Sequence, residues 1–537
     1  MDRSANATAI CDLDAEISLV NADIRDLCDK RRSLWTLRNS KLPFLDLPPE
    51  ICTFIFSLAC HHGRLPEILK WKKALITTPF VISSVCHAWR VMARSTPKLW
   101  SSVSICLRLT DEELAMQGEL LDQWLCLARS APLSITMTFD WDGTDELERD
   151  LSWTALTAVT SVAASRSHQW ESLDVFLPST WAKTFESKMG CVPNLKSLNL
   201  QLTPETDTLP FSRTFCDAPK LRTVTIGYEN VDVGLPCHQL EELTFWGHFY
   251  GDLPSKALTF LSRCTNLKNF RIHDRANKAI TSHMSVHLSK LVSLEIISLR
   301  PQQLLGYLAA PSLVSITIPL EGPDEIEAFS AFLTRSDVKL KHLSIFGYVP
   351  NKEELLWKIF DGLPNLSYLE IDEPSFQSDG GSERRWLPSR RFFNYFSTPN
   401  TASGGLPLPH LTSVKYRGPL KLHASTTPGN ADSGDSVDVD PVENMWWKTG
   451  VPFNSNPKND NVDVVTLEKM LLARWNTNLS AGASRLQVFS MSITNSPESV
   501  AEMERSPVVK ELRREGMHLV FNSVKQRGRM RIYDNRR

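Results

Sequence analysis

The sequence predicts an α/β protein: a long N-terminal helix, a small helical module, and then a solenoid with a parallel sheet. Three observations predict it. Apolar residues near the start recur at steps of three and four. Short helices with apolar stripes come next, between Pro43 and Trp100. From Trp170 to Met491 one apolar phrase then recurs eleven times at intervals suited to stacked repeats. The expected division is 1–42, 43–100 and 101–537.

Ile10, Leu13, Ile17, Val20, Ile24, Leu27 and Leu34 alternate steps of four and three, interrupted by Arg31. That is a heptad seam, able to pair with a second copy of the chain. Asp12, Asp14, Glu16, Asp23, Asp26, Asp29, Lys30 and Arg32 cover the remaining surface.

Leu47-Pro48-Pro49-Glu50-Ile51 opens the next helix. Proline suits a first helical turn because its missing N–H has no partner to lose there. Glu50 sits near the positive helix end. Ile51, Ile55 and Leu58 make an apolar stripe with Phe56 beside it, and a second helix after Pro79 carries Val81 or Ile82, Val85, Trp89 and Met92. Ser95-Thr96-Pro97 stops it, and Trp100, Val103 and Ile105 begin the strand phrase.

LPPEI, the Ile55–Phe56 pair, VCHAWR and STPKLW together resemble an F-box over Leu47 to Trp100. The resemblance implies a three-helix unit that docks on the Skp-type linker of a cullin–RING ubiquitin ligase. It places the family's contact positions at Leu47, Pro48, Ile51, Ile55, Phe56, Val85, Cys86 and Trp89. The interval from Ala59 to Thr78, with His61, His62, Lys70, Trp71, Lys72 and Lys73, is longer than the family's usual connection.

Asp111 to Ala128 reads as a helix, Pro132 to Phe139 as an alternating strand, and Leu147 to Ser165 as a second helix. After them comes the repeated phrase: an apolar residue, then two more three and five positions later. Clear copies are Leu195/Leu198/Leu200, Leu221/Val224/Ile226, Leu240/Leu243/Phe245, Leu267/Phe270/Ile272, Leu294/Ile297/Leu299, Leu313/Ile316/Ile318, Leu340/Leu343/Ile345 and Leu366/Leu369/Ile371. Trp170/Leu173/Val175, Leu411/Val414/Tyr416 and Leu486/Phe489/Met491 are weaker. Between Leu195 and Leu366 the first positions step by 26, 19, 27, 27, 19, 27 and 26 residues.

The last two apolar residues of a phrase are two apart, so they share one face of a short strand. One such strand cannot bury that face alone, and stacked copies can. The long intervals leave room for helices, read at Ser255–Leu261, Pro323–Leu333 and Asn351–Phe360. The phrase resembles the leucine-rich repeat. The usual Asn or Cys after the strand pair is replaced by Thr203, Glu229, His248, Arg275 and Gln302, which implies an irregular arc.

Two stretches break the rhythm. Low hydrophobicity and Ser/Gly/Pro content predict disordered loops at 375–409 and 424–463. Val508 to Arg514, Gly516, and Met517 to Phe521 read as helix, stop and last strand.

The chain has 537 residues and a net charge of −2, with no basic stripe of the kind that binds nucleic acid. Lys525, Arg527, Arg529, Arg531, Arg536 and Arg537 read as a solvated tail. Eleven cysteines without a C-x-x-C pair read as reduced thiols. With no apolar leader and no run long enough to span a bilayer, the expected location is cytoplasmic or nuclear, without membrane contact.

No phosphate loop, dinucleotide fingerprint, nucleophile elbow or zinc-protease helix is present, so no catalytic residue, metal or cofactor is expected. Cys52, Cys60, His61 and His62, with or without Cys86 and His87, match no zinc spacing. What remains is surface. Trp246, Arg271, His273, Arg300, Phe346, Tyr368, Asp372 and Arg417 flank the inward pairs and would line the concave side of an arc. Aromatics mixed with both charge signs suit a protein substrate better than a phosphate backbone. The expected function is a substrate adaptor of an SCF-type ligase, partnered by the Skp-type linker and a cullin. The alternative is a repeat scaffold or sensor without a ubiquitin link.

Overall fold

A computed structural model describes residues 3–39, 41, 43–61, 78–107, 111–138, 153–203, 211, 213–227, 233–246, 258–274, 284–298, 300–320, 322–346, 353–372, 390–399, 405–418, 462, 464–476, 483–494 and 497–524. Most of the long interval after Ala59, the loop 424–461 and the basic tail from Lys525 lie outside them. The fold is α/β, with 14 strands ordered in a parallel sheet as they are in the chain. The described residues of Met1–Leu221 and Val231–Pro236 form one compact unit, and those of Arg222–Asn230 and Cys237–Tyr533 form another.

In the first unit, α1 (Arg3–Asn39) is a single long helix. Every residue from Ile10 to Arg38 is exposed except the half-buried Cys28. Three short helices come next: α2 (Pro49–His61), α3 (Thr78–Val85) and α4 (His87–Ser95). The single helix expected after Pro79 is therefore two. Cys86 breaks it by taking an extended backbone (φ −156°, ψ 173°), and its sulfur accepts the Trp89 N–H at 3.4 Å to cap α4. Arg90 Nε spans the break to the Ser83 carbonyl at 2.9 Å.

Phe44, Phe56 and Trp89 form the aromatic centre of this helical group, with ring centroids 4.7 to 5.8 Å apart. A second cluster, Phe80, Trp100 and Trp124, fastens the group to the first strand and its return helix, at 4.9 to 5.3 Å. Both indoles in that cluster are satisfied: Trp100 donates to the Ala93 carbonyl at 2.8 Å and Trp124 to the Trp100 carbonyl at 2.6 Å. Buried indole N–H groups left without acceptors would cost stability, so these bonds set the direction in which the chain enters the sheet.

Strands β1 (Ser102–Cys106), β2 (Leu133–Thr138), β3 (Trp170–Pro178) and β4 (Ser197–Thr203) pair in parallel. Helices α5 (Asp111–Ala128), α6 (Trp153–Ser165) and α7 (Ser179–Lys188) supply the returns. The sequence pattern places α5 at the same residues.

The second unit continues the scheme with β5 (Thr223–Gly227), β6 (Glu242–Trp246), β7 (Asn269–Asp274), β9 (Ser293–Ser298), β11 (Ser315–Pro319), β12 (His342–Phe346), β13 (Tyr368–Asp372), β14 (Ser413–Gly418), β15 (Val488–Thr494) and β16 (His518–Val524). A minor pair, β8 (Val286–His287) and β10 (Leu308–Ala309), stands apart. Inward pairs such as Leu243/Phe245, Phe270/Ile272, Ile316/Ile318 and Leu369/Ile371 are buried. Each such side chain contributes roughly 2 kcal/mol of apolar burial. The layered pairs make a continuous core along the strand order.

Two expectations need correction. The repeat written Leu294/Ile297/Leu299 is out of frame: Leu291, Leu294 and Ile296 are buried, and Ile297 lies on the other side of β9. The neighbouring steps become 24 and 22 residues in place of 27 and 19. Because side chains alternate, a shifted frame exchanges the two faces. Next, 375–409 is not a loop throughout. Arg390–Ser397 is helical, with Phe392, Phe393 and Phe396 buried. Side-chain bonds between repeats lie just ahead of the strands. Asn266 donates to the His238 carbonyl at 2.7 Å and accepts from Lys290 at 2.6 Å, and Asn194 does the same with His168 and Lys220.

A residue without a sequence signal holds the second aromatic helix. Arg474, in helix Val464–Trp475, is 1% exposed. It donates to the carbonyls of Phe396 (2.8 Å), Leu408 (3.1 Å) and Pro407. Burial pushes its guanidinium down to about 10, still charged at neutral pH. At the chain's end, helix Pro507–Arg514 stops at Gly516, whose φ of +103° is a conformation open to glycine.

Candidate partner-binding surfaces

The first surface is on the helical group. On α2 the residues at helical spacing 51, 54, 55 and 58 are all apolar and all open to solvent: Ile51 is 46% exposed, Phe54 60%, Ile55 38% and Leu58 43%. The opposite face of the same helix, Cys52 and Phe56, is buried. α2 is thus apolar on two sides and uses only one internally. Leu47 and Pro48, just before it, are exposed as well. On α3, Val81 and Val85 are exposed while Pro79 and Ile82 are buried.

The eight positions implied by the F-box resemblance therefore divide. Leu47, Pro48, Ile51, Ile55 and Val85 are open. Phe56 is 2% exposed, Trp89 is half-buried in the aromatic centre, and Cys86 caps α4. These last three hold the group together, and the open apolar set is the first five together with Phe54, Leu58 and Val81. Period 3.6 reveals that a stripe exists; it does not say which of two apolar sides faces out.

The second surface is the side of the sheet opposite the core in the second unit. Cross-strand register places Trp246 beside His273 and Arg271 beside Glu295. The Trp246 and His273 rings stack at 4.2 Å and 25°. His273 Nε2 and Arg271 Nε both lie 3.4 Å from Glu295 carboxylate oxygens. The hydrogen bond from His273 holds the Glu295 carboxyl below its ordinary value, against burial, which raises it.

Further along, β13 and β14 pair Glu370 with Lys415 and Asp372 with Arg417. Both are ion pairs, the second at 3.4 Å. Tyr368 donates its hydroxyl to Glu370 at 2.9 Å, and burial with that bond pushes the phenol up to about 12. Burial also raises the Asp372 carboxyl despite Arg417. Phe346 stands half-buried directly opposite Asp372 in the β12–β13 register.

Seven of the eight positions read from sequence thus lie on strand positions facing away from the core. The exception is Arg300. It precedes helix Pro301–Leu305, beyond the end of β9. Its placement came from the out-of-frame repeat, and the correct frame gives β9 the outward residues Glu295 and Ile297. Glu295, Glu370 and Lys415 went unread, although each sits two residues from, or directly across from, a position that was read.

Among the described residues no group of three His, Cys, Asp or Glu side chains could hold a metal ion. Cys52, from the considered zinc set, is buried and directs its thiol at the carbonyls of Phe44 and Leu47. No helix among the described residues is long and apolar enough to cross a membrane. No family model matches the chain, and no curated protein matches it either. The F-box and leucine-rich-repeat resemblances therefore rest on the residues quoted for them.

Proposed function

We propose that this chain is a non-catalytic substrate adaptor of an SCF-type cullin–RING ubiquitin ligase. The helical group binds the Skp-type linker and the outward face of the sheet receives a protein substrate. One observation carries the reading: α2 presents Ile51, Phe54, Ile55 and Leu58 to solvent although its other side already fills the core. Adjacent exposed apolar side chains on a rigid helix suit burial in a partner's groove. The position of this stripe, directly after the Leu-Pro-Pro-Glu start, is where the resemblance puts linker contacts.

The sheet face supports the second half. Trp246, Phe346 and Tyr368 offer aromatic contact area among paired charges, a composition suited to protein recognition. Co-purification of the full chain with the Skp-type linker tests the reading. A stoichiometric complex that also carries a cullin is expected. Failure to bind the linker rejects it and leaves a repeat scaffold outside the ubiquitin system.

A further inference from the structure

We infer that α1 pairs with α1 of a second copy as an antiparallel two-stranded coiled coil. This inference does not depend on the ligase reading.

A helix of this length in isolation gains little from propensity; packing of an apolar stripe is what stabilises helices of this kind. Here the stripe is in place and uncovered. Ile10, Leu13, Ile17, Val20, Ile24, Leu27 and Leu34 are 52 to 66% exposed. They occupy the a positions (Ile10, Ile17, Ile24) and d positions (Leu13, Val20, Leu27, Leu34) of one unbroken heptad frame. Arg31 is the polar a residue, and its side chain lies over the Trp35 ring at 5.0 Å.

Charge decides the partner and its direction. From Ile10 to Asp23 the helix carries Asp12, Asp14, Glu16 and Asp23 and no base. From Ile24 to Arg38 it carries Arg25, Lys30, Arg31, Arg32 and Arg38 against Asp26 and Asp29. Antiparallel pairing of two copies lays the acidic half on the basic half. Aligning the seam on itself opposes Ile10 to Leu34, Leu13 to Arg31, Ile17 to Leu27 and Val20 to Ile24, so every seam residue has a partner. The flanking positions then bring Glu16 to Lys30 twice, once on each side of the twofold axis. Arg31 meets Leu13, which has Asp12 and Asp14 on either side.

The parallel alternative fits worse. It stacks Arg31 on its own copy and sets Glu16 beside Asn21, with no opposite-charge pair between flanking positions. One contact opposes the antiparallel form: Asp23 meets its own copy at the axis.

The test is a charge-swap cycle on the full-length chain, read by light-scattering mass and sedimentation equilibrium. The wild type is expected to be a dimer at micromolar concentration. Glu16→Lys weakens the dimer at least roughly tenfold, because two attractive pairs become repulsive. Adding Lys30→Glu restores it. Asp23→Asn tightens it. Circular dichroism confirms that each variant remains folded. A monomeric wild type overturns the inference. So does a dimer indifferent to Glu16→Lys, since parallel pairing leaves that residue without a charged neighbour.

Discussion

The helical group and the outward sheet face of the second unit expose side chains in opposite ways. On α2 the open residues are apolar: Ile51, Phe54, Ile55 and Leu58 are held out by a backbone whose other side is anchored through Phe56. On the sheet the offered charges are already committed to one another. Glu295 holds Arg271 and His273, Glu370 holds Lys415, and Asp372 holds Arg417. An apolar partner gains the remaining exposed area of the first surface, with no ion pair to break. A partner for the second must compete with pairs already made, so it gains selectivity more than strength. A strong contact on the helices and a weaker, more discriminating one on the strands would suit the proposed adaptor.

The sharpest way to break this comparison is to exchange anchored and offered residues on α2. Phe56→Ala removes a buried ring from the aromatic centre and should cost about 3–5 kcal/mol of stability. Ile51→Ala, one helical turn earlier on the open side, should cost about 0.5 kcal/mol or less. Denaturant titration of both separates the two sides of the helix; similar losses would mean that Ile51 is internal.

Next in size is the strongest commitment in the second unit. Arg474→Met leaves the carbonyls of Phe396, Leu408 and Pro407 without their donor, at about 3 kcal/mol. The expected signature is early exposure of helix Arg390–Ser397 in hydrogen exchange. On the sheet face the costs are smaller. Lys415→Met removes a partly exposed partner of Glu370 and should lower stability by about 0.5–1 kcal/mol.

The smallest effect is the one tied to pH. The Glu295 carboxyl titrates below its ordinary value of 4.5 in the folded protein, so the unfolded chain binds its proton first as acid is added. Its contribution is complete above that value and disappears as the pH falls through the depressed one. The wild type should therefore lose stability relative to Glu295→Gln only below pH 4.5, a difference read from melting curves at pH 7 and pH 3.5. A gap that persists unchanged at the lower pH would show that the carboxylate contributes by packing and not by its charge.

The period of the strands was legible because each inward pair is an i, i+2 couple, and seven clear couples in the correct frame are hard to produce by chance. The frame failed at one place, Leu291-Val292-Ser293-Leu294-Glu295-Ile296-Ile297-Ser298-Leu299, where apolar residues are dense enough to fit two frames. Only the neighbours β7 and β11 choose between them, through pairing at Leu294. The helix at Arg390–Ser397 was hidden by its flanks: average composition over 375–409 is that of a loop, and four aromatics in five residues are diluted within it. Arg474 carries no local signal. An arginine on an amphipathic helix reads as solvated, and its burial depends on carbonyls more than sixty residues away in sequence. The split of α3 from α4 at Cys86 is likewise a backbone event that an apolar stripe running across it cannot reveal.

The division of labour is tested most directly by the affinity of the full-length chain for the Skp-type linker, measured by calorimetry for wild type, Ile51→Asp and Arg271→Glu. A charge in the α2 stripe should weaken binding by roughly a hundredfold, the loss expected of a buried apolar anchor, while Arg271→Glu on the sheet leaves it unchanged. No binding by the wild type, or equal affinity for a folded Ile51→Asp variant, would contradict the account.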